Sequence, residues 1–340
     1  MTTHQRSARH KCLATLLAAL LACGLLAALT SGRARAARPA HHGAHAASHY
    51  LVGIGDEFSQ MFSSQLWQQL HTKIARYIAP YDAVTHRDSL ARVTAWIQAA
   101  EEQHEQILVA FYHSEHTPTR MPSVSEYAHD VQKFVKRFPR VRQYQAWDEA
   151  NRGNITHYLS SPSASATAQY YQALHRACTT CTVIGLDVLD QSNIGPTLTY
   201  IAEFKREIGH LRTVMPSIWG LHDYSDVNRL ESWRTREVSR ALGGVVWLTE
   251  TGGIVQFGGA FPNRNGSGLS RAAKVLNYTF NLAGSQGQIR RLYIYNWTGG
   301  VNSSRFDAGL TDSRDRPRMG YQVVCHRLHG AKCNVRLSKH

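Results

Sequence analysis

The sequence lacks the short motifs that identify several large classes of enzyme. The segment Gly53-Ile-Gly-Asp-Glu57 follows the first strand candidate but has no third glycine, so it does not match the phosphate-binding turn of dinucleotide-binding sheets. No G-x-S-x-G elbow between a strand and a helix is present, which argues against a Ser-His-Asp hydrolase. His113 and His222 are too few to predict a catalytic metal site, so we expect no metal.

Long apolar runs are missing after residue 36, so no later segment is predicted to span a membrane. At the N-terminus, Arg6, Arg9 and Lys11 precede an apolar run and the small-residue sequence Ala34-Arg-Ala36. This order is typical of a secretory signal peptide over residues 1–36, and an uncleaved membrane anchor is the alternative. Both place the rest of the chain outside the cytoplasm. Residues 37–49, rich in alanine and histidine, are predicted to form a flexible leader.

Acidic residues are fewer than basic ones. The chain has 24 Asp and Glu against 38 Lys and Arg, which gives a formal net charge of +14. Removal of residues 1–36 takes away five basic residues and no acidic one, which leaves about +9. The basic residues are scattered and no nucleic-acid-binding motif accompanies them, so we predict no nucleic-acid partner. A general positive surface is the better interpretation, and attraction to anionic glycans is a weaker one.

Cysteine is scarce, with six residues in the whole chain. Two lie in the predicted signal peptide, and the other four form the close pairs Cys178/Cys181 and Cys325/Cys333. In an exported protein these pairs predict two local disulfides. Redox chemistry or half of a zinc site is the alternative for the C-x-x-C pair, but no second C-x-x-C or His pair completes a metal set.

From residue 50 onward, short β-rich apolar runs alternate with longer amphipathic helical patterns. The predicted strands are Leu51–Ile54, Lys73–Ile78, Gln106–Tyr112, Arg142–Trp147, Thr182–Asp187, Ile218–His222, Val245–Thr249 and Arg291–Asn296. The predicted helices are Asp88–His104, Ser125–Phe138, Ala166–Ala177, Pro196–Ile208, Glu231–Leu242, Ser270–Ala283 and Arg318–Leu328. Strands that each precede a helix are the pattern of a closed (β/α)8 barrel, the TIM barrel. We therefore predict a single α/β domain over residues 50–340.

Two glutamates stand at the C-terminal ends of predicted strands, where barrel enzymes place their chemistry. Glu149 follows strand four, and Glu250 follows strand seven in Trp247-Leu-Thr-Glu250. Retaining glycoside cleavage needs two carboxyl groups about 5–5.5 Å apart, one to protonate the leaving oxygen and one to attack the anomeric carbon. The pair therefore predicts a retaining glycosidase. A solvated loop acid is the alternative for either residue taken alone.

Other strand ends supply groups that suit this chemistry. Arg76, in strand two, is predicted to be a cation beside Glu250, and Tyr224, just after strand six, is predicted to donate a hydrogen bond to it. Trp297, after strand eight, offers a flat apolar face for a sugar ring. No metal or organic cofactor is implied, because the two carboxyl groups supply the reaction.

Together these segments resemble the motifs of clan A glycoside hydrolases, the "4/7" (β/α)8 barrels. Trp147-Asp-Glu-Ala-Asn151 is similar to the W-N-E-P-N segment of that family, and Trp247-Leu-Thr-Glu-Thr-Gly252 is similar to its strand-seven motif. The resemblance covers roughly residues 50–330. It implies that Glu149 is the acid/base and Glu250 the nucleophile. The residues that it implies for substrate binding are Arg76, Trp147, Asp148, His222, Tyr224 and Trp297.

The sequence departs from the family pattern before the acid/base residue, where Asp148 replaces Asn. In the family that Asn hydrogen-bonds the sugar 2-hydroxyl and can donate or accept, whereas an ionised Asp can only accept. Asp148 therefore predicts either a raised pKa for Glu149 or a different sugar at this position. Ala150 in place of Pro is the second departure.

The predicted function is that of a secreted retaining β-glycosidase whose partner is a β-linked glycoside or polysaccharide. A catalytically inactive extracellular glycan-binding barrel is the alternative, which Asp148 and the basic surface favour. No stable membrane association is expected after signal cleavage. The sugar, its linkage, exo or endo action and the oligomeric state stay open at this point.

Overall fold

The computed structural model describes residues 49–153, 161–300, 305–335 and 337. The predicted signal peptide, and the predicted leader up to residue 48, lie outside the described residues. Across the described ranges, no helix has the length and apolar character that a membrane crossing requires.

The described residues form the predicted (β/α)8 barrel. The strands are β1 (Leu51–Gly55), β2 (Ile74–Pro80), β3 (Gln106–Tyr112), β4 (Gln143–Gln145), β5 (Thr182–Ile184), β6 (Asp187–Leu189), β7 (Ile218–His222), β8 (Val245–Thr251), β9 (Gln256–Phe257), β10 (Ile289–Tyr295) and β11 (Phe306–Asp307). The helices are α1 (Gln65–Leu70), α2 (Arg87–Glu102), α3 (Val124–Arg137), α4 (Ala164–Ala177), α5 (Gly195–His210), α6 (Tyr224–Val227), α7 (Trp233–Leu242), α8 (Ser267–Ser285) and α9 (Met319–His329).

The parallel sheet has the order β5-β4-β3-β2-β1-β10-β8-β7-β6. Only Gly185 and Leu186 separate β5 from β6, so these are two halves of one interrupted strand. The first half pairs with β4 and the second with β7. The backbone N–H of Gly185 donates to Ile218 and that of Gly220 donates to Leu186 at the break. The two edges of the sheet therefore meet in a single strand, and the sheet curls into an eight-stranded barrel.

The strands are buried on both faces, as the apolar run of β3 illustrates. Ile107 to Phe111 are all buried, which is typical of a parallel sheet covered by helices. Because side chains alternate along a strand, one set points into the barrel and the other toward the helices. The inward cluster of apolar side chains includes Ile74, Leu108 and Ile184. The outward set packs against helices such as α2, which buries Val93 and Trp96.

Three of the described helices are capped at their N-termini by a serine side chain. Ser64, Ser123 and Ser163 accept hydrogen bonds from backbone N–H groups in the first turns of α1, α3 and α4. Each cap satisfies a donor that the helix itself leaves unpaired. The caps fix where these helices start, and hence the lengths of the loops at the C-terminal ends of the strands.

Both predicted disulfides are present. Cys178 bonds to Cys181 between α4 and β5, and Cys325 bonds to Cys333 between α9 and the turn that follows it. The Cα atoms lie 5.4 Å and 5.6 Å apart, within the ordinary range for a disulfide. Both bridges close short loops, so they tie down local structure.

Candidate active site

The structure brings the two predicted catalytic glutamates together. Glu149 lies just after β4 and Glu250 lies in β8, and each is 4% exposed. Carboxylate oxygens of the two residues, together with a ring nitrogen of His222, all lie within 4.8 Å of one another. Nδ1 of His222 is 3.1 Å from Oε1 of Glu149 and 3.8 Å from Oε2 of Glu250. This separation fits the short carboxyl spacing of retaining glycosidases rather than the wider spacing of inverting ones.

Glu250 is held by the two residues expected beside it. Nη1 of Arg76 donates to Oε1 of Glu250 at 2.7 Å, and the hydroxyl of Tyr224 donates to Oε2 at 3.3 Å. Two donors from different elements, one of them a cation, fix the orientation of the Glu250 carboxyl group inside a buried site.

Glu149 has different neighbours. Its Oε2 lies 3.4 Å from Nη1 of Arg152, a residue that the sequence analysis did not single out. Its backbone φ is +46°, in the left-handed region that non-glycine residues rarely adopt. Strain of this kind is found at functional sites, where the surrounding structure holds a side chain in one direction.

Arg76 is the centre of the site. It is 1% exposed, and its Nη2 donates to Oδ1 of Asp148 at 2.5 Å and to Oδ2 of Asp187 at 2.8 Å, while Nε donates to Gln145 at 2.9 Å. Burial alone would lower the pKa of Arg76, but the surrounding carboxylates raise it well above its usual value. The guanidinium therefore stays charged and links four strands.

Asp187 and Gln145 are site residues that the sequence analysis missed. Asp187 contacts Arg76, accepts a hydrogen bond from Thr249 and has its Oδ2 3.1 Å from Nε2 of His222. The sequence contains one weak indication of this role. Asp187 is a polar residue within an apolar strand pattern, and such a residue is often found where a side chain points into the barrel. The predicted strand ended at Asp187, so its inward direction was not apparent.

His222 lies at the end of β7 and is fully buried. Burial alone would lower its pKa, but Asp187 and Glu250 raise it well above the usual value. A charged imidazole next to Glu149 and Asp187 connects the two halves of the site. The structure thus places His222 beside both Glu149 and Glu250.

The two tryptophans predicted to bind substrate are almost fully buried. Trp297 is 2% exposed and packs against Trp67 and Tyr321, with ring centroids 5.6 Å and 5.8 Å away. Trp147 is also buried, among aromatic rings that include Tyr81. Both tryptophans therefore pack mostly against other aromatic side chains, and their contact with a sugar stays a prediction.

Tyr295 and Glu57 stand close to Glu250 instead. The hydroxyl of Tyr295 donates to Oε2 of Glu57 at 3.0 Å. Burial raises the pKa of Glu57 well above its usual value, and the negative charges of Asp56 and Glu250 raise it further. Neither Glu57 nor Tyr295 was a candidate from the sequence, because an acid just after the first strand has no distinguishing neighbour motif.

Two groups of three potential metal ligands occur in the described residues, Asp148-Asp187-His222 and Glu149-His222-Glu250. Arg76 already donates to a carboxylate of each group, at distances of 2.5 to 2.8 Å. The positive charge that a metal ion would supply is thus provided by a side chain. We assign no metal to either group.

Comparisons with solved structures confirm the fold. The chain is similar to xylanase 10B from Thermotoga maritima (15% identity, 82% of this chain and 95% of that chain, TM-score 0.58). It is also similar to a GH5_18 protein from Streptomyces cattleya, solved in complex with GlcNAc (12%, 86% and 83%, TM-score 0.60). A family 1 β-glucosidase from Thermotoga maritima matches as well (9%, 83% and 98%, TM-score 0.55).

No protein-family model and no curated protein sequence matches the chain. The similarity therefore lies in three-dimensional structure, at identities that establish the fold. The chain shares the (β/α)8 fold of these enzymes over most of its length.

Proposed function

We propose that this protein is a secreted retaining β-glycosidase, with Glu149 as acid/base and Glu250 as nucleophile. The observation that carries the proposal is the approach of these two carboxyl groups to within 4.8 Å. They belong to different strands and have different partners, as two carboxyl groups with opposite roles require. The fold that the chain shares with xylanases and a β-glucosidase supports a carbohydrate substrate.

In the first step, the Glu250 carboxylate attacks the anomeric carbon and forms a carbon–oxygen bond to the sugar. The glycosidic bond breaks, and Glu149 gives its proton to the departing oxygen. In the second step, Glu149 is a carboxylate and takes a proton from water as the water oxygen attacks the same carbon. The bond to Glu250 then breaks, and the anomeric configuration is retained.

The two glutamates have different neighbours, which serve different parts of the reaction. Arg76 and Tyr224 donate to Glu250 and keep it aligned before attack. Arg152 and His222 contact Glu149 and orient the carboxyl group that is the acid of the first step and the base of the second. Arg76 and Tyr224 therefore act as positioning residues for the nucleophile.

Export is the second part of the proposal. The sequence over residues 1–36 is typical of a signal peptide, and both close cysteine pairs form disulfides, which persist in oxidising compartments. Expression of the full chain, followed by mass determination of the protein in the medium, tests this part. A secreted product that begins near residue 37 supports it, and retention of the intact chain in cells contradicts it.

Glu250→Gln and Glu149→Gln test the catalytic assignment. We expect Glu250→Gln to lower turnover of an aryl β-glycoside by roughly 10⁴-fold or more, since no covalent intermediate forms. We expect Glu149→Gln to cost about 10²–10⁴-fold, with rescue by azide when the leaving group is good. Glu237→Gln, on the exposed face of α7, is the matched control and should keep full activity. Unchanged turnover in both site variants contradicts the assignment.

A covalent trap separates an enzyme from the alternative, a glycan-binding barrel without activity. The probe is a 2-fluoro β-glycoside with a good leaving group, which forms the intermediate but releases it slowly. An enzyme gains the mass of one sugar at Glu250, located by peptide mapping. A binding protein gains none.

A further inference from the structure

Three buried carboxyl groups share the single guanidinium of Arg76. Nη1 serves Glu250, whereas Nη2 is divided between Asp148 at 2.5 Å and Asp187 at 2.8 Å. All four side chains are at most 6% exposed. If all three acids were ionised, the guanidinium of Arg76 and the charged imidazole of His222 would face three negative charges with little water to screen them. Burying uncompensated charge is costly, so one acid is expected to keep its proton.

The contacts show which acid is compensated least. Asp187 also accepts a hydrogen bond from Thr249 and lies 3.1 Å from His222. Burial alone would raise the pKa of Asp187, but His222 and Arg76 lower it below its usual value. Glu250 accepts an unshared hydrogen bond from Nη1 of Arg76 and a second hydrogen bond from the hydroxyl of Tyr224. Among the described residues, the side chain of Asp148 accepts a hydrogen bond only from Nη2 of Arg76, which also donates to Asp187.

The two oxygens of Asp148 are not equivalent. Oδ1 accepts from Arg76 and lies 4.0 Å from Nε2 of His222. Oδ2 has no hydrogen-bond partner among the residues that the structure describes. A proton on Oδ2 would leave the bond from Arg76 to Oδ1 intact and would turn Oδ2 into a donor.

The surroundings of Asp148 act in the same direction. The titratable groups that face it from the neighbouring strands are Arg76, Tyr112, Asp187, His222 and Glu250. Glu149 and Arg152 lie on its own loop. Burial raises the pKa of Asp148 well above its usual value, the charges of Glu250 and Asp187 add to the rise, and Arg76 and His222 offset only part of it.

We propose that Asp148 is a neutral acid in the working enzyme and donates a hydrogen bond from Oδ2 to the sugar hydroxyl next to the anomeric carbon. This inference rests on the proposed function. Asp148 then replaces the expected Asn without loss of a donor, because a protonated carboxyl group, like an amide, offers one donor and one acceptor to its two neighbours. The donor exists only while the proton stays, so activity depends on the ionisation of Asp148.

Infrared spectroscopy tests the proton without any need for turnover. A protonated carboxyl group has a C=O stretching band distinct from that of a carboxylate. The wild type at neutral pH should show one such band that is missing from Asp148→Asn, and the band should disappear as the pH rises. Asp187→Asn is the matched variant: it frees Nη2 for Asp148, so Asp148 should ionise and the band should weaken. A wild-type spectrum with no band assignable to Asp148 overturns the proposal even if the protein is an active glycosidase.

The dependence of kcat/KM on pH tests whether Asp148 donates a hydrogen bond to the substrate. With a dinitrophenyl β-glycoside, the leaving group needs no proton from Glu149, so ionisation of Glu149 does not limit kcat/KM for this substrate. The wild type should still lose kcat/KM by about tenfold per pH unit above the pKa of Asp148. Asp148→Asn should lack this alkaline limb, and Asp187→Asn should show it at lower pH. Circular dichroism establishes that each variant is folded at each pH.

The 2-deoxy form of the same substrate completes the test. It has no hydroxyl next to the anomeric carbon, so its wild-type pH profile should lack the alkaline limb. An alkaline limb of equal position and depth in the wild type and Asp148→Asn overturns the proposal. The same follows if the limb persists with the 2-deoxy substrate. Absence of turnover in every folded protein and with every substrate contradicts the glycosidase assignment instead, and leaves the infrared result to decide on the proton.

Discussion

Two groups of buried aspartates are held in different ways, although Asp187 of one group and Asp190 of the other are close together in the chain. Asp148 and Asp187 are held by Arg76, a side chain from another strand. Asp190 instead accepts two backbone N–H groups, from Ser225 and Asp226, at 2.8 Å and 2.7 Å. Asp226 in turn accepts hydrogen bonds from the backbone and hydroxyl of Thr235 and from Arg234, at 2.7 to 3.0 Å.

The difference teaches that burial of an acid does not by itself indicate function. Asp190 and Asp226 accept hydrogen bonds from backbone N–H groups of nearby segments, so they hold those segments in place. Asp148 and Asp187 share the guanidinium of Arg76 instead, so a change at either one alters the compensation of the other. In this barrel, the partners of an aspartate distinguish the reacting site from its support.

Arg76→Met gives the largest expected effect, because it removes the cation from three buried carboxyl groups. We expect the free energy of unfolding to fall by about 3–5 kcal/mol, together with a loss of activity. Urea denaturation and aryl glycoside turnover measure both. Arg240→Met, at an exposed ion pair with Glu237, is the control and should change stability by less than about 1 kcal/mol. Equal stability of the two variants would remove Arg76 from the centre of the site.

Asp226→Ala tests the supporting group. It leaves two donors of Thr235 and one of Arg234 without their acceptor, so we expect a loss of stability of about 2–4 kcal/mol. Turnover per folded molecule should stay within about twofold, since Asp226 contacts neither glutamate. A large fall in turnover at full stability would mean that the two groups of aspartates act together.

Asp223, another buried aspartate near Asp226, is expected to change stability with pH. Burial raises the pKa of Asp223 to about 7, from a usual value of 3.8. Because the folded state binds this proton more tightly than the unfolded state, the stability that it contributes is present at low pH and is lost as the pH rises through about 7. The free energy of unfolding should therefore fall less steeply with pH in Asp223→Asn than in the wild type, as measured by urea denaturation at several pH values. Identical slopes would show that Asp223 does not titrate in this window.

The smallest effect is expected from Cys178→Ser/Cys181→Ser. The loop that this disulfide closes spans a sequence separation of three residues, so its removal should cost about 2 kcal/mol or less. Activity at 25 °C should be unchanged, because the bridge precedes β5, at the end of the barrel opposite the site. Thermal denaturation and turnover are the measurements, and a loss of turnover in the folded variant would be the unexpected result.

Much of the fold follows from the sequence because periodic patterns carry it. Each of the eight predicted strands overlaps an observed strand. The break between β5 and β6 was not predicted, since Thr182–Asp187 reads as one continuous run and Gly185 alone does not indicate an interruption. The short helix α1 was also missed, because six residues are too few to show a helical period.

The site was predicted in part. Glu149, Glu250, Arg76, His222 and Tyr224 were found because motifs and strand ends mark them, and the structure brings them together. Asp187 and Gln145 were missed because their roles depend on the direction of inward side chains, which the register of the barrel sets. Trp297 was predicted from its position after strand eight, and the contact of its ring with Trp67 could not be predicted from that position.

A methyl group added at one strand position would damage this site without changing any reacting residue. Gly220 lies in β7 where a Cβ atom would come within 2.5 Å of Asp187, 2.6 Å of Gln145 and 2.8 Å of Thr249, all of them side chains of the polar layer around Arg76. Alanine there would push this layer apart and move the guanidinium that donates to Glu250. A random search for inactive but folded variants should therefore recover substitutions of Gly220, a residue with no chemistry of its own, alongside those of the two glutamates.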